Sequence, residues 1–325
     1  MCLYTKYILN PKYKPNKKNN YKPPKCEDER LRYVPISCGR CIECRKKKKR
    51  EWLVRLSEEI KSDNKCMFVT LTFSDEEFNK LSRKVFNRIT QNDEEENQVC
   101  IKAVRMWLER IRSKTGKSVK HWLITEKGED FGRIHLHGIV WEETWILNEW
   151  GYGYVSRGTY VNEQTINYIT KYVTKVNEKF RNFIGKVLTS KGIGKIYIDK
   201  NKGSGKADEY RTRKGFIMNQ PDYYRRNIYS DEERERIWIE NQERGYRYIC
   251  GEKVSTENLE EWENLTKYYQ QRAKRLYNEN ETDWEADKAK KRLERMIIAR
   301  AKYAVNKSRK SVNKSTKSVD KSVNK

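Results

Sequence analysis

The sequence predicts an α+β fold: a mainly antiparallel sheet of about five strands with helices packed on one face, behind a small cysteine-rich segment that binds metal. Three observations lead there. CMFVTLTF (66–73) is β-branched and aromatic, as buried strands are. VKHWLITE (119–126) and RIHLHGIVW (133–141) are two more such runs, and the turn-like KGEDFG between them makes a β-hairpin. Around these runs, apolar residues recur at helical spacing.

Taken in order, residues 10–25 hold six Lys, four Pro and no acid, and read as an extended, loosely ordered basic arm. Cys38, Cys41 and Cys44 follow, then six consecutive basic residues, Arg45, Lys46, Lys47, Lys48, Lys49 and Arg50. A helix over about 45–62 puts Trp52, Leu53, Leu56 and Ile60 on one face. After the strand at 66–73, Ser74 and Glu77 form a capping box for a helix whose face is Phe78, Leu81, Val85 and Ile89. Val104, Trp107, Leu108 and Ile111 mark another helix over about 97–113. A short strand is expected within 152–157 and a helix over 163–179. KVLTS and KIYI read as strands, and FIMNQPDYYRRNIYSDEERERIW as a turn and a capped helix. A long charged helix is expected over about 257–303, broken near NENETD. The expected division is 1–63 (arm, cysteine segment, first helix), 64–205 (core), 206–305 (mainly helical) and 306–325, a disordered basic tail of K-S-V-N/D-K repeats.

Composition narrows the function. Lys and Arg number 71 against 46 Asp and Glu, a net charge of +25. Such a charge fits a polyanion partner, because Lys and Arg displace condensed counterions from phosphates. With 21 Tyr and 9 Trp, the chain has rings to spare for stacking on bases. No apolar run is long enough to span a membrane, so no membrane partner is expected. MCLYTKYILNPKYK lacks the apolar core of a signal peptide, so secretion is not expected. Eight Cys in 325 residues are too few for a disulfide scaffold, which suits a reducing compartment.

Three groups of residues carry chemistry. On a strand His135 and His137 point to one face and Leu136 to the other. If KGEDFG closes the hairpin, position 126 pairs with 133 and 124 with 135. That brings Glu126 within a diagonal step of His135. Two His and one carboxylate with open positions suit Mg2+ or Mn2+ on a phosphate. Glu129 and Asp130 are substitute ligands, and His121 falls on the opposite face as a structural residue. In YITKYVTK, Tyr168 and Tyr172 are neighbours on a helix, with Lys171 and Lys175 on an adjacent face. Rings so spaced can be core; here they alternate with Lys, and a phenol beside a metal and a cation can attack phosphorus. Cys38-x2-Cys41-x2-Cys44 can wrap a structural zinc given a fourth ligand, Cys2 or Cys26, and an Fe–S cluster is an alternative. A zinc knot there would hold the arm and the 45–50 run as a phosphate-binding surface. Cys66, Cys100 and Cys250 read as ordinary thiols.

FVTLTF, GRIHLHG and YITKYVTK, in that order, resemble the three motifs of the HUH endonucleases that initiate rolling-circle replication. More narrowly, the chain resembles microvirus replication initiation proteins of the gokushovirus type. MCLYTKYILNPKY, CGRCIECR, SKGIG near 190 and DYYRRNIYSDEERERIW near 223–238 extend the likeness over most of residues 1–240. It departs in one place: an aromatic residue and a Gly are expected after the metal acid, where Lys127 and Gly128 stand.

The resemblance implies a ferredoxin-like or RRM-like core and a tyrosine that nicks single-stranded DNA, or an extruded viral origin. The products are a 5′-phosphotyrosine and a free 3′-OH. It implies Mg2+ or Mn2+ on His135, His137 and Glu126, and a second tyrosine that later rejoins the strand. Lys171 and Lys175 would balance phosphate charge. Tyr172, with Lys171 and Lys175 on either side in sequence, is expected to cut first. The resemblance also favours Cys2 as the fourth thiolate, host DNA polymerase and helicase as partners, and the bacterial host cytoplasm as location. No G-x-x-x-x-G-K-[ST] loop is present, so no fused helicase is expected. Two alternatives stand beside this reading: a transposase or relaxase with the same chemistry, and a non-catalytic DNA-binding or packaging protein.

Overall fold

Three runs named above do pair as neighbouring strands. The computed structural model describes residues 1–158, 160–202, 209–212 and 215–279. The expected basic tail, and the expected long helix beyond residue 279, lie outside these residues. The elements in order are β1 (Lys6–Leu9), β2 (Tyr33–Ile36), α1 (Ile42–Ser62), β3 (Met67–Leu71), α2 (Asp75–Phe86), α3 (Asp93–Thr115), β4 (Lys120–Lys127) and β5 (Ile134–Trp141). Then come β6 (Val155–Arg157), α4 (Glu163–Thr170), β7 (Val187–Thr189), α5 (Lys195–Asn201), β8 (Glu209–Arg211) and β9 (Ile217–Asn219). The last are α6 (Asp222–Ile228), α7 (Asp231–Glu243), β10 (Tyr246–Ile249), β11 (Glu252–Ser255) and α8 (Leu259–Tyr277).

The central sheet has the order β6-β3-β5-β4-β7, and every pairing is antiparallel. Helices cover both of its faces, not one. Val69, Leu71, Leu123, Leu136 and Val140 pack with Val99, Ala103, Trp107 and Ile111 of α3. On the other face Trp122, Ile124, Ile139 and Trp141 pack with Trp52 and Leu56 of α1 and Ile166 and Ile169 of α4. The reason is in the strands. Trp122-Leu123-Ile124 and Ile139-Val140-Trp141 are apolar at consecutive positions, so both faces need cover. Each large side chain so buried stabilises the fold by about 1.5–3 kcal/mol. α1 thus packs on the sheet and lies with it in one compact unit, Met1–Glu279.

Gly138 stands between Val69 and Leu123 in the sheet. A Cβ there would lie 2.2 Å from the Trp122 carbonyl oxygen and 2.8 Å from the Leu123 Cα. Gly138→Ala must therefore push β5 off β4, and the expected cost is about 1–3 kcal/mol or more. A denaturation midpoint equal to wild type would contradict that packing.

Helix ends follow local chemistry. Ser74 accepts from Glu77 N and opens α2; Asn87, with φ 60°, closes it. Ile89 therefore falls beyond the helix and is exposed, against the expectation that it shares the apolar face. Asn92 caps α3, whose first turn is acidic, and Gly116 ends it in a left-handed conformation. KIYI is not a strand. Gly192 and Gly194, both with positive φ, turn the chain into α5, where Ile198 packs beside Val54 and Tyr197 stacks on Tyr224 at 4.5 Å. The arm at 10–25 is not extended either. It joins β1 to β2 through two 3-10 turns capped by Asn10 and Asn16, and Lys12 pairs with Glu235 of α7 at 2.7 Å. Among the described residues no helix is long and apolar enough to cross a membrane.

Candidate metal and nucleophile site

The hairpin builds the first half of the site. Lys127 pairs with Ile134, Glu126 with His135 and Ile124 with His137. The register is two residues from the expected one, because the loop is 128–133, closed by Gly128 N donating to Arg133 O at 3.0 Å. Glu126 consequently lies directly opposite His135 rather than diagonal to it. His135 Nε2 and His137 Nε2 are 3.0 Å apart, and Glu126 Oε2 is 2.9 Å from His137 Nε2 and 3.5 Å from His135 Nε2.

The far ring nitrogens are fixed as well. His135 Nδ1 is 3.1 Å from the Arg133 carbonyl, which can only accept, so Nδ1 carries the proton and Nε2 offers its lone pair. His137 Nδ1 is 3.0 Å from Thr70 Oγ1 on β3. Burial works against ionising Glu126. Hydrogen bonds from His135, His137 and Lys175 outweigh it and hold the carboxyl well below the usual range.

The second half comes from α4. The expected helix over 163–179 ends at Thr170 and gives way to a 3-10 turn, Lys171–Val173. Local chemistry disfavours continuation: Ile169, Thr170, Val173 and Thr174 are β-branched, and the Thr170 hydroxyl donates back to the Ile166 carbonyl at 2.7 Å. The turn swings Tyr172 inward, flat on the His137 ring, with centroids 4.6 Å apart and planes at 15°. The Tyr172 hydroxyl donates to the Tyr168 hydroxyl at 2.6 Å. Tyr172 is only 6% exposed and Tyr168 45%. Burial first, then the Tyr168 hydrogen bond and the Glu126 charge, push the Tyr172 phenol well above its ordinary range. Lys175 pairs with Glu126 and, at 2.9 Å, with Glu129; Lys171 sits 4.0 Å over the Tyr168 ring.

Two neighbours escaped the sequence reading. Phe68 stacks against His137 and meets Tyr168 edge-on, and Thr70 buttresses His137. Their signal was the period-2 alternation of FVTLTF, which puts 68, 70 and 72 on one face. Ligand-orienting partners typically matter 10- to 100-fold in metal affinity. Thr70→Val is accordingly expected to weaken Mn2+ binding by about that factor, read by Mn2+ titration. His121 lies on the opposite face, buried, bonded to Val119 O and Ser190 Oγ. Asp130 takes no part in the group.

The cysteines gather at the start of α1. The ligand atoms of Cys2, Cys38, Cys41 and Cys44 all lie within 4.8 Å of one another. Cys38 Sγ is 3.8 Å from Cys44 Sγ, and Cys41 Sγ 3.9 Å from Cys2 Sγ. Hydrogen bonds from Cys38, Cys41 and Cys44 hold the Cys2 thiol well below its usual range. Leu3 and Ala273 of α8 pack over the group. Cys26 stands apart from it.

The run 45–50 does not form one phosphate-binding surface. A helix distributes six consecutive residues around its whole circumference. Arg45 turns inward and pairs with Glu279 at 3.1 Å. Lys46 pairs with Glu43 and Lys47 with Asp222. Burial, then the nearby Lys186 charge, lowers the Lys48 pKa. Lys49 is half-buried and Arg50 exposed.

The segment that carries the His, Glu and Tyr residues is of a recognisable class: residues 66–177 match the sequence model of the replication-associated protein ORF2 family. More particularly, the chain is similar to the replication-associated protein ORF2 of Spiroplasma virus 4, at 31% identity over 51% of this chain and 58% of that protein. The chain thus spans 58% of the length of that curated relative. No solved structure matches significantly. These matches bear out the resemblance to a viral replication initiator.

Proposed function

We propose that the chain initiates replication of a viral genome by nicking single-stranded DNA through a tyrosine nucleophile. The supporting observation is the juxtaposition on one sheet face of two His, one carboxylate and two hydrogen-bonded phenols. An octahedral ion with bonds of ~2.1 Å needs adjacent ligand atoms ~3.0 Å apart, which the three measured separations fit. Mg2+ or Mn2+ would be held by His135 Nε2, His137 Nε2 and a Glu126 oxygen. When bound, such an ion supplies Lewis-acid polarisation of a phosphoryl oxygen.

The remaining work falls to the chain. A phenolic oxygen attacks phosphorus, its O–P bond forming as the P–O3′ bond breaks. The 5′ side is left as a phosphotyrosine, and the 3′ oxygen takes up a proton. Tyr168 is the better placed first nucleophile, since Tyr172 is buried and its phenol is held neutral. Tyr172 aligns the Tyr168 hydroxyl and is available for the second cut that rejoins the strand. Lys171, over the Tyr168 ring, balances charge near the attacking oxygen. Lys175 holds Glu126 and Glu129 to the end of α4. The host polymerase would extend the 3′-OH. The test is incubation with single-stranded viral DNA and Mn2+, then mapping of the DNA-linked peptide. An adduct on any tyrosine other than 168 or 172 would refute the assignment.

The four thiolates suit zinc. A tetrahedron with Zn–S bonds of ~2.3 Å has S–S edges of ~3.8 Å, close to both measured pairs, and leaves no room for a multi-iron cluster. The protein purified under reducing conditions is expected to carry about one zinc per chain, and Cys41→Ser to lose most of it. Elemental analysis that finds no zinc in the wild-type protein would count against the site.

A further inference from the structure

We propose that Tyr154 is a base-stacking residue for single-stranded DNA, seating a nucleobase one or two nucleotides from the phosphate held at His135 and Glu126. The inference rests on the nicking reading above. It starts from the sheet register. Leu71 pairs with Leu136 on one side and with Val155 on the other. Continued by one residue, that register lines up Tyr154, Thr72, His135 and Glu126 in a single row across four strands. Residues opposed in antiparallel strands share a face, so Tyr154 belongs to the face of the two His. It lies two strand spacings from His135, ~10 Å.

The position is rigid. Thr72 donates to the Tyr154 carbonyl through both its backbone N–H, at 2.9 Å, and its hydroxyl, at 2.8 Å. The preceding Gly153 is pressed so closely on β3 that a Cβ would lie 2.6 Å from the Thr72 carbonyl oxygen. On this fixed backbone the Tyr154 ring is 75% exposed. An exposed ring on a rigid strand end contributes nothing to the core, yet loses little freedom on binding a flat ligand. Its row neighbours on this face are Thr70, Thr72 and Ser156, all polar. A protein partner would call for an apolar patch; a base needs one ring face in polar surroundings. Continuity with the His135–Glu126 group and the +25 charge of the chain select single-stranded nucleic acid as the occupant.

The experiment uses the full chain and viral single-stranded DNA carrying 5-iododeoxyuridine near the mapped cut. Photocrosslinking is expected to label the peptide that contains Tyr154. Base–aromatic stacking sets the expected loss: Tyr154→Ala should raise KM by about 5- to 150-fold with kcat nearly unchanged, while Tyr154→Phe stays close to wild type. Binding to duplex DNA and to Mn2+ alone should not change, which separates stacking from a folding defect. Equal KM for Tyr154→Ala and a wild type that nicks would overturn the inference and leave the nicking reading intact. So would crosslinks confined to Phe131 at the hairpin tip. Tyr154-dependent binding of single strands by a wild type that forms no adduct would uphold the stacking contact and sink the nicking reading.

Discussion

Tyr168→Phe/Tyr172→Phe, the double variant, is expected to form no covalent adduct with single-stranded DNA while still binding DNA and Mn2+. Each change removes one hydroxyl and almost no volume, so the stack on His137 and the edge contact with Phe68 survive. The single variants should differ. Tyr168→Phe removes the exposed phenol and should lose most of the first cut. Tyr172→Phe removes only the donor that aligns it, and should retain nicking. Both singles should fail at strand rejoining, which needs two cleavages while one DNA end stays attached. Denaturing gels of labelled oligonucleotide separate these outcomes. A double variant that still forms adduct would end the two-tyrosine mechanism, and one that unfolds would make the rings core residues.

His135→Ala or His137→Ala should reduce nicking by about 10³-fold or more, since a Lewis-acid contribution of several kcal/mol is at stake and each 1.36 kcal/mol is tenfold. DNA affinity should hold within about twofold, because phosphate contacts are spread over many Lys and Arg. Normal cleavage by both variants at limiting Mn2+ would remove the metal from the mechanism. Loss of DNA binding in step with cleavage would mean that the imidazoles hold the substrate rather than an ion.

The parts legible in the sequence are those set by local pattern. Strands at 66–73, 119–126 and 133–141 announced themselves by β-branched runs, and α3 by its 3.6-residue spacing. The His face needed only the alternation of a strand, and the Tyr168–Tyr172 proximity only a spacing of four. What failed depended on tertiary context. KGEDFG admits more than one hairpin closure, and the choice between them is made by Gly128 bonding to Arg133. The inward turn of Tyr172 follows from the change of helix type at Thr170. That change also reversed the expected order of the two tyrosines. KIYI has strand composition, but Val54 and Tyr224 offer it a helical seat. The charge of Arg45–Arg50 was visible, whereas its distribution around α1 hid Arg45 against Glu279.

α1 has 21 residues and so extends about 32 Å. Cys41 and Cys44 sit at its first turn, Trp52 meets Trp122 of the sheet edge-on midway, and Glu59 near its end grips Lys120 at 2.7 Å. The helix is therefore a strut between the thiolate cluster and the strand that supplies Glu126. Packed side chains transmit a displacement of such a rod with little compliance. The four sulfurs thereby act as a remote anchor for the angle at which α1 lies across β4, and the alignment of the catalytic carboxylate is tied to the integrity of a site that touches no DNA phosphate.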